Sequence, residues 1–266
     1  MKAILAVFKM RLIAGMQYVA AAWAGISTQF FFGFIFVMIY SAFYENAIVD
    51  TISLKELISY LWLNQAFFAI IILWSQDESL LQKISSGDIA YELTKPYDIY
   101  KFWFASLTAK RLANVALRFL PVIIISLLLP SPYNLSLPSS ILSFILFLLS
   151  LGLSLFLVTS ISMYIYILTF KTLSPVGSKL AISVFGEFFM GAIIPIPLMP
   201  KYLQNILSFF PFRYISDLPF RIYSGNIHGL NAIFLISVQL FWIIFLVITG
   251  KFLLDKALKK VTVQGG

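Results

Sequence analysis

The sequence predicts an all-α integral membrane protein with six transmembrane helices. Three observations carry that expectation. Hydrophobic residues fill 61% of the 266 positions and charged residues only 11%, against about 25% charged in a soluble domain. A chain this apolar cannot cover a water-facing surface, so lipid must take that place. Six apolar runs follow one another between short polar or proline-rich stretches, and a span needs roughly 20 apolar residues. Phe, which is favourable at the centre of a span, occurs 27 times. Six spans and modest loops fill the length as one transmembrane domain, 1–266.

The first element is an amphipathic segment within 1–16 that places Ile4, Leu5, Phe8 and Leu12 on one face, flanked by Lys2, Lys9 and Arg11. Such a helix lies among lipid headgroups with its cations reaching the phosphates. A signal peptide is the competing reading. The apolar run continues to about Phe43, too long for a signal core. The first span is 18–43, with Ala21 and Gly25 at a spacing that lets helices approach closely. The second is 57–74, with Asn64 and Gln65 near its middle.

The stretch 75–101 is the most polar. The third span begins near Ala113 and ends at Pro130; an earlier helix start would put Lys110 and Arg111 at the boundary. The fourth lies within 141–170. The fifth runs from Pro175 to about Ile194, where Pro195, Pro197 and Pro200 break it. Leu203, Ile206, Leu207 and Phe210 share a face of the next segment, which is too short to span and reads as re-entrant or interfacial. The sixth span is 230–254, followed by Lys256, Lys259 and Lys260.

Charge sets the orientation. The net charge is +8. With the N-terminus inside, fifteen Lys and Arg fall on the cytosolic side, and Lys55, Lys201, Arg213 and Arg221 on the other. That bias places both termini in the cytosol. No basic stripe interleaved with exposed aromatics is present, so nucleic acid is not an expected partner. The absence of Cys and the single His228 remove thiol catalysis, disulfides and Cys/His metal sites. There is no P-loop, nucleophile elbow or HExxH pattern. No catalytic or metal residues are expected.

Two features remain as candidate sites. In the polar stretch, Ser85-Ser86-Gly87 stops any helix leaving the second span. Asp88 then caps a new helix that Pro96 must end, with Asp88 and Glu92 near its start and Lys95 at its close. Ile89 and Leu93, four apart, make an apolar stripe. About seven residues are marginal as a free helix, so something must dock on that stripe. The second feature is Glu187, about a dozen residues into the fifth span. An ionisable group there is a functional candidate. It either faces the transport path or pairs with a cation or with Asn64 and Gln65.

The run from Ser86 to Pro96 resembles the G-[DE]-I-x-x-x-L-x-[RK]-P stretch of ABC-2 type permeases. Gly191-Ala192-Ile193-Ile194-Pro195, followed by Leu207 to Phe212, resembles their G-x-x-I-P…L-x-x-x-P-F segment. Lys95 stands where the family more often carries Arg. With the six-span layout, the resemblance covers nearly the whole chain. It implies a permease in the cell membrane that pairs with an identical or homologous permease and binds two cytosolic ATPase subunits. ATP and Mg would sit on those subunits, and this chain would bind no cofactor. The resemblance makes Gly87, Asp88, Ile89, Tyr91, Glu92, Leu93 and Lys95 the ATPase-coupling residues. It makes 1–16 an interfacial elbow helix and 195–228 an external re-entrant segment. Glu187, Asn64, Gln65 and Gly191 are the candidates for the pathway or an interface. Two other readings stand beside it: a proton-coupled secondary transporter using Glu187, and a polytopic membrane enzyme.

Overall fold

A computed structural model describes residues 2–47 and 49–259. Met1, at the head of the expected elbow helix, and Lys260, in the basic tail, lie outside the described residues. Among the described residues the fold is twelve α-helices and two 3-10 turns, with no strand.

Four helices are long and apolar enough to cross a membrane: α2 (Val19–Asn46), α7 (Ile99–Leu128), α8 (Ile141–Thr172) and α12 (Gly229–Leu258). At 1.5 Å per residue they measure about 42–48 Å, longer than a hydrocarbon core of about 30 Å. Each buries a stripe. On α12 it is Ala232, Ile236, Gln239, Gly250 and Leu254. On α2 it is Ala22, Ile26, Gln29, Gly33 and Val37. Gly33 is there because Trp62 fills the space its Cβ would need, 2.6 Å away. The outward faces carry large apolar groups such as Phe31, Met38, Phe241 and Phe252, which suits lipid.

The other two expected spans are not continuous helices. The second is α3 (Leu54–Ala66) followed by α4 (Phe68–Ile71), broken at Phe67. It starts at Leu54 because Ser53 and Glu56 form a reciprocal capping box. The fifth is α9 (Pro175–Phe189), 15 residues, about 22 Å of helix. It stops at Met190–Gly191, where Gly191 takes φ +80°, short of the expected Ile194.

Helix α7 takes the earlier of the two expected starts. Its N-cap is Asp98, whose Oδ1 accepts from the Lys101 amide at 3.1 Å. The helix therefore starts well before Ala113. Lys101, Lys110, Arg111 and Arg118 all fall within it, and Arg111 is buried there, 3% exposed.

Helix α1 (Lys2–Met16) lies along the first half of α7: Gly15 meets Ala113, and Arg11 sits beside Ser106 and Leu107. Val7 is buried in this contact and Leu5 is 70% exposed, so the inner face is rotated from the one expected.

Both described termini lie at one end of the bundle, here the proximal end, where Lys251 of α12 pairs with Asp98 of α7 at 3.0 Å. The distal end holds the loop 129–140 and the run of short elements after α9. These are a 3-10 turn at Ile196–Leu198, α10 (Lys201–Ser208), a second turn at Pro211–Tyr214 and α11 (Asp217–Ser224). Helices α10 and α11 are eight residues each, too short to cross. Helix α11 is wedged between α3 and α8.

At the centre, α8 and α12 meet along a polar seam. The Gln239 amide donates to Ser150 O (3.0 Å), Ser154 Oγ (3.1 Å) and Tyr214 O (2.8 Å), and accepts from Ser150 Oγ (2.9 Å). Small hydroxyl residues let the two backbones approach closely.

Candidate functional site

The polar stretch builds a platform at the proximal end. Helix α5 (Glu78–Ser86) is capped by Asp77, whose Oδ1 accepts from the Leu80 amide and from Ser79 Oγ. It buries Leu81 and Ile84. Gly87 ends it at φ +87°, where no neighbour lies within 4 Å of a would-be Cβ. The left-handed backbone, not crowding, calls for glycine there.

This corrects the expected helix over 88–94. Ser85-Ser86-Gly87 closes a separate nine-residue helix rather than the second span. Asp88 does not cap the turn after it; its carboxylate accepts from Ser86 Oγ at 2.7 Å. Only Ala90–Leu93 is helical (α6). The expected apolar stripe is also split. Ile89, 1% exposed, packs inward with Leu81, Ile84, Tyr100 and Trp103. Tyr91 and Leu93, 74% and 37% exposed, face outward.

Glu92 fastens this tip. It is buried and pairs with Lys83 of α5 at 2.9 Å and with Lys95 at 3.1 Å, and it accepts from the Tyr97 hydroxyl. Burial alone would raise its pKa. The Tyr97 hydrogen bond and the two lysines outweigh that and bring it down to about 2.

The platform joins the bundle through the broken end of the second span. After α4, residues 72–77 are not helical. Their polar groups are met by three other helices. From α7, Arg111 donates to Ile70 O (3.2 Å) and Ile72 O, and Lys110 to Gln76 O (2.9 Å). From α8, Ser162 Oγ accepts from Arg111 (2.9 Å) and Gln76 (3.2 Å), and the Tyr166 hydroxyl accepts from the Asp77 amide (2.9 Å). From α9, the Glu187 carboxylate faces the amides of Leu73 and Trp74. Gly186 gives it access, because a Cβ there would collide with Leu73.

Glu187 is thus placed against backbone, with one oxygen buried and unpartnered. Asn64 and Gln65 are buried on α3, and among the described residues neither hydrogen-bonds to Glu187. Gly191 lies elsewhere, at the turn out of α9, where its carbonyl accepts from the Tyr60 hydroxyl at 3.2 Å. A Cβ on it would meet Ile196 Cγ1 at 2.9 Å.

Two residues matter here that the sequence alone does not single out. Arg111, 3% exposed and without a carboxylate partner among the described residues, is the main holder of the break. Its signal is a cation inside an apolar run. Asp217 is fully buried between Arg213 (3.3 Å) and Arg221 (3.4 Å) at the distal end. The spacing of these three at i, i+4 and i+8 is its signal.

The chain is therefore a multi-pass helical membrane protein in which a charged interior hub links a surface platform to the bundle. No curated protein and no solved structure matches it. A family described as ABC-2 family transporter protein matches residues 24–265; the chain belongs to that family.

Proposed function

We propose that the chain is the permease subunit of an ATP-driven exporter and forms half of its translocation pathway. A second permease, identical or homologous, supplies the other half, and two cytosolic ABC ATPases supply ATP and Mg. The carrying observation is the α5–α6 platform, a small surface fastened by Glu92 with Tyr91 and Leu93 exposed at its tip. In a transporter family member without a P-loop, that surface suits docking in a groove of a separate ATPase. Tyr91 with Leu93 takes over as the anchor pair, and Ile89 supports them from within. The proximal end is cytosolic on this reading, α1 is the elbow helix at the lipid interface, and 195–228 is the external re-entrant segment.

The test is co-purification. Tyr91→Asp with Leu93→Asp removes two docking side chains, each worth about 1–2 kcal/mol of binding. The protein should insert normally and lose its ATPase. Full retention of ATPase and of transport would refute the assignment. Orientation is checked by single cysteines, since none is native. A Cys at Tyr91 should react only from the cytosol and one at Asp50 only from outside.

Proton-coupled transport draws on the unpartnered Glu187 oxygen. It predicts that a protonophore, rather than ATP depletion, stops transport. The membrane-enzyme reading gains no observation.

A further inference from the structure

Residues 72–77 form a gap of six residues between α4 and α5. Left to itself, such a gap is a soft joint, and a push on α5 would be absorbed there. Here the gap is braced. Arg111 holds two carbonyls on one side, Glu187 faces two amides on the other, and Gln76, Lys110 and Tyr166 meet the rest. Lys179 on α9 adds a 2.6 Å contact to Glu78 on α5.

The two charged groups have a feature that mere packing does not explain. Neither Arg111 nor Glu187 has an ionic partner among the described residues. A bare ion inside a helical bundle is costly. Arg111 is held instead by the Ile70 and Ile72 carbonyls where α4 ends, and Glu187 stands against the Leu73–Trp74 backbone just beyond them. A regular helix at this point would expose neither set.

We propose that Arg111 and Glu187 are positioning residues that lock the broken end of the second span, so that movement of the α5–α6 platform passes undamped into α7, α8 and α9. The proposal rests on the transport reading above. It requires that loss of either brace separate ATP hydrolysis from movement at the distal end, without loss of ATPase binding.

The experiment uses the full chain with Tyr202→Cys, captured from membranes with its ATPase and placed in lipid vesicles. Tyr202 is 69% exposed on α10, at the far end of the bundle. The rate of labelling by an impermeant maleimide is measured with and without ATP and vanadate. Without a brace change, ATP should alter the rate. Glu187→Leu should keep the ATPase bound but shrink the ATP-dependent change by about 2- to 30-fold. Glu187→Gln should restore most of it, because it keeps the shape and an acceptor oxygen toward the Leu73–Trp74 backbone. Arg111→Met is run alongside. Should it fail to fold, the half-buried Glu187 carries the test alone. An undiminished ATP effect in Glu187→Leu overturns the proposal. If no ATPase accompanies the unaltered chain, the transport reading falls, and the brace falls with it.

Discussion

Two of the buried polar regions among the described residues hold different kinds of backbone. Between α8 and α12 the polar groups are neutral: Ser150, Ser154, Gln239 and the Tyr214 carbonyl. They join two continuous helices whose own backbones are already satisfied. At the end of α4 the groups include ionisable ones, Arg111, Lys110 and Glu187, and the backbone is broken. On its outward face a helix such as α12 has no neighbours to complete its hydrogen bonds and must stay regular. Residues 57–66 of α3 are all buried in protein, so neighbours can finish what the helix leaves open. Irregular backbone is tolerated next to α3, which the bundle surrounds, and charge is the means.

That contrast ranks the expected effects of mutation. The largest is Arg111→Met, which leaves the Ile70 and Ile72 carbonyls without a donor. Stranded buried groups cost about 1–3 kcal/mol each, so a loss of about 3 kcal/mol is expected, read as the thermal midpoint in detergent. Arg111→Lys should lose less. An unchanged midpoint in Arg111→Met would mean the break needs no brace.

Gln239→Leu tests the neutral seam. Ser154 still bonds the carbonyl four residues back, so less is stranded. The expected loss is about 2 kcal/mol at most. A loss exceeding that of Arg111→Met would reverse the ranking.

Acid separates the two regions again. Glu92 is held at about 2 when folded, against about 4.3 for a free Glu. A depressed carboxyl stabilises fully above the free value and loses that contribution as pH falls from about 4 through 2. Glu92→Gln should cost about 1.5 kcal/mol at pH 7 and progressively less below pH 4. Proteolysis of the exposed α6 tip reads this out. Gln239→Leu should show no matching pH dependence, since the seam has no titrating group.

The smallest effect is expected of Gly87→Ala, about 1 kcal/mol for a side chain in the left-handed region. Amide exchange across α5 should rise while α8 and α12 keep their protection. A rise spread over the whole bundle would show that the platform is not a separate unit.

Much of the frame is legible in the sequence, for a physical reason. Spans such as α2, α8 and α12 face lipid, so their apolar runs and their helices coincide. The broken second span is not legible. No Pro or Gly stands within 57–74, and the break is set by side chains about 40 residues away and more. Arg111 reads as a boundary residue because the apolar run after Ala113 hides a helix already capped by Asp98. Ile89 reads as outward because a four-residue spacing defines a stripe but not what covers it. In fact Tyr100 and Trp103, brought in by α7, take its inner side. Gly87 and the proline-broken segment after Ile194 are legible as stops, because their conformational limits are local.

The shortness of α9 bears on electrical insulation. Its 15 residues cover about 22 Å of a barrier about 30 Å thick. The remaining resistance to ions along that path falls on side chains rather than on helix length. Phe189 stands at its end, in edge or tilted contact with Phe185, Phe188, Phe210 and Phe212. These five rings, from the end of α9 and the returning segment, cluster where the helix gives out. On the transport reading proposed above, that cluster would resist ion leak, and trimming Phe189 or Phe212 to Ala would raise the resting current without touching the α5–α6 platform.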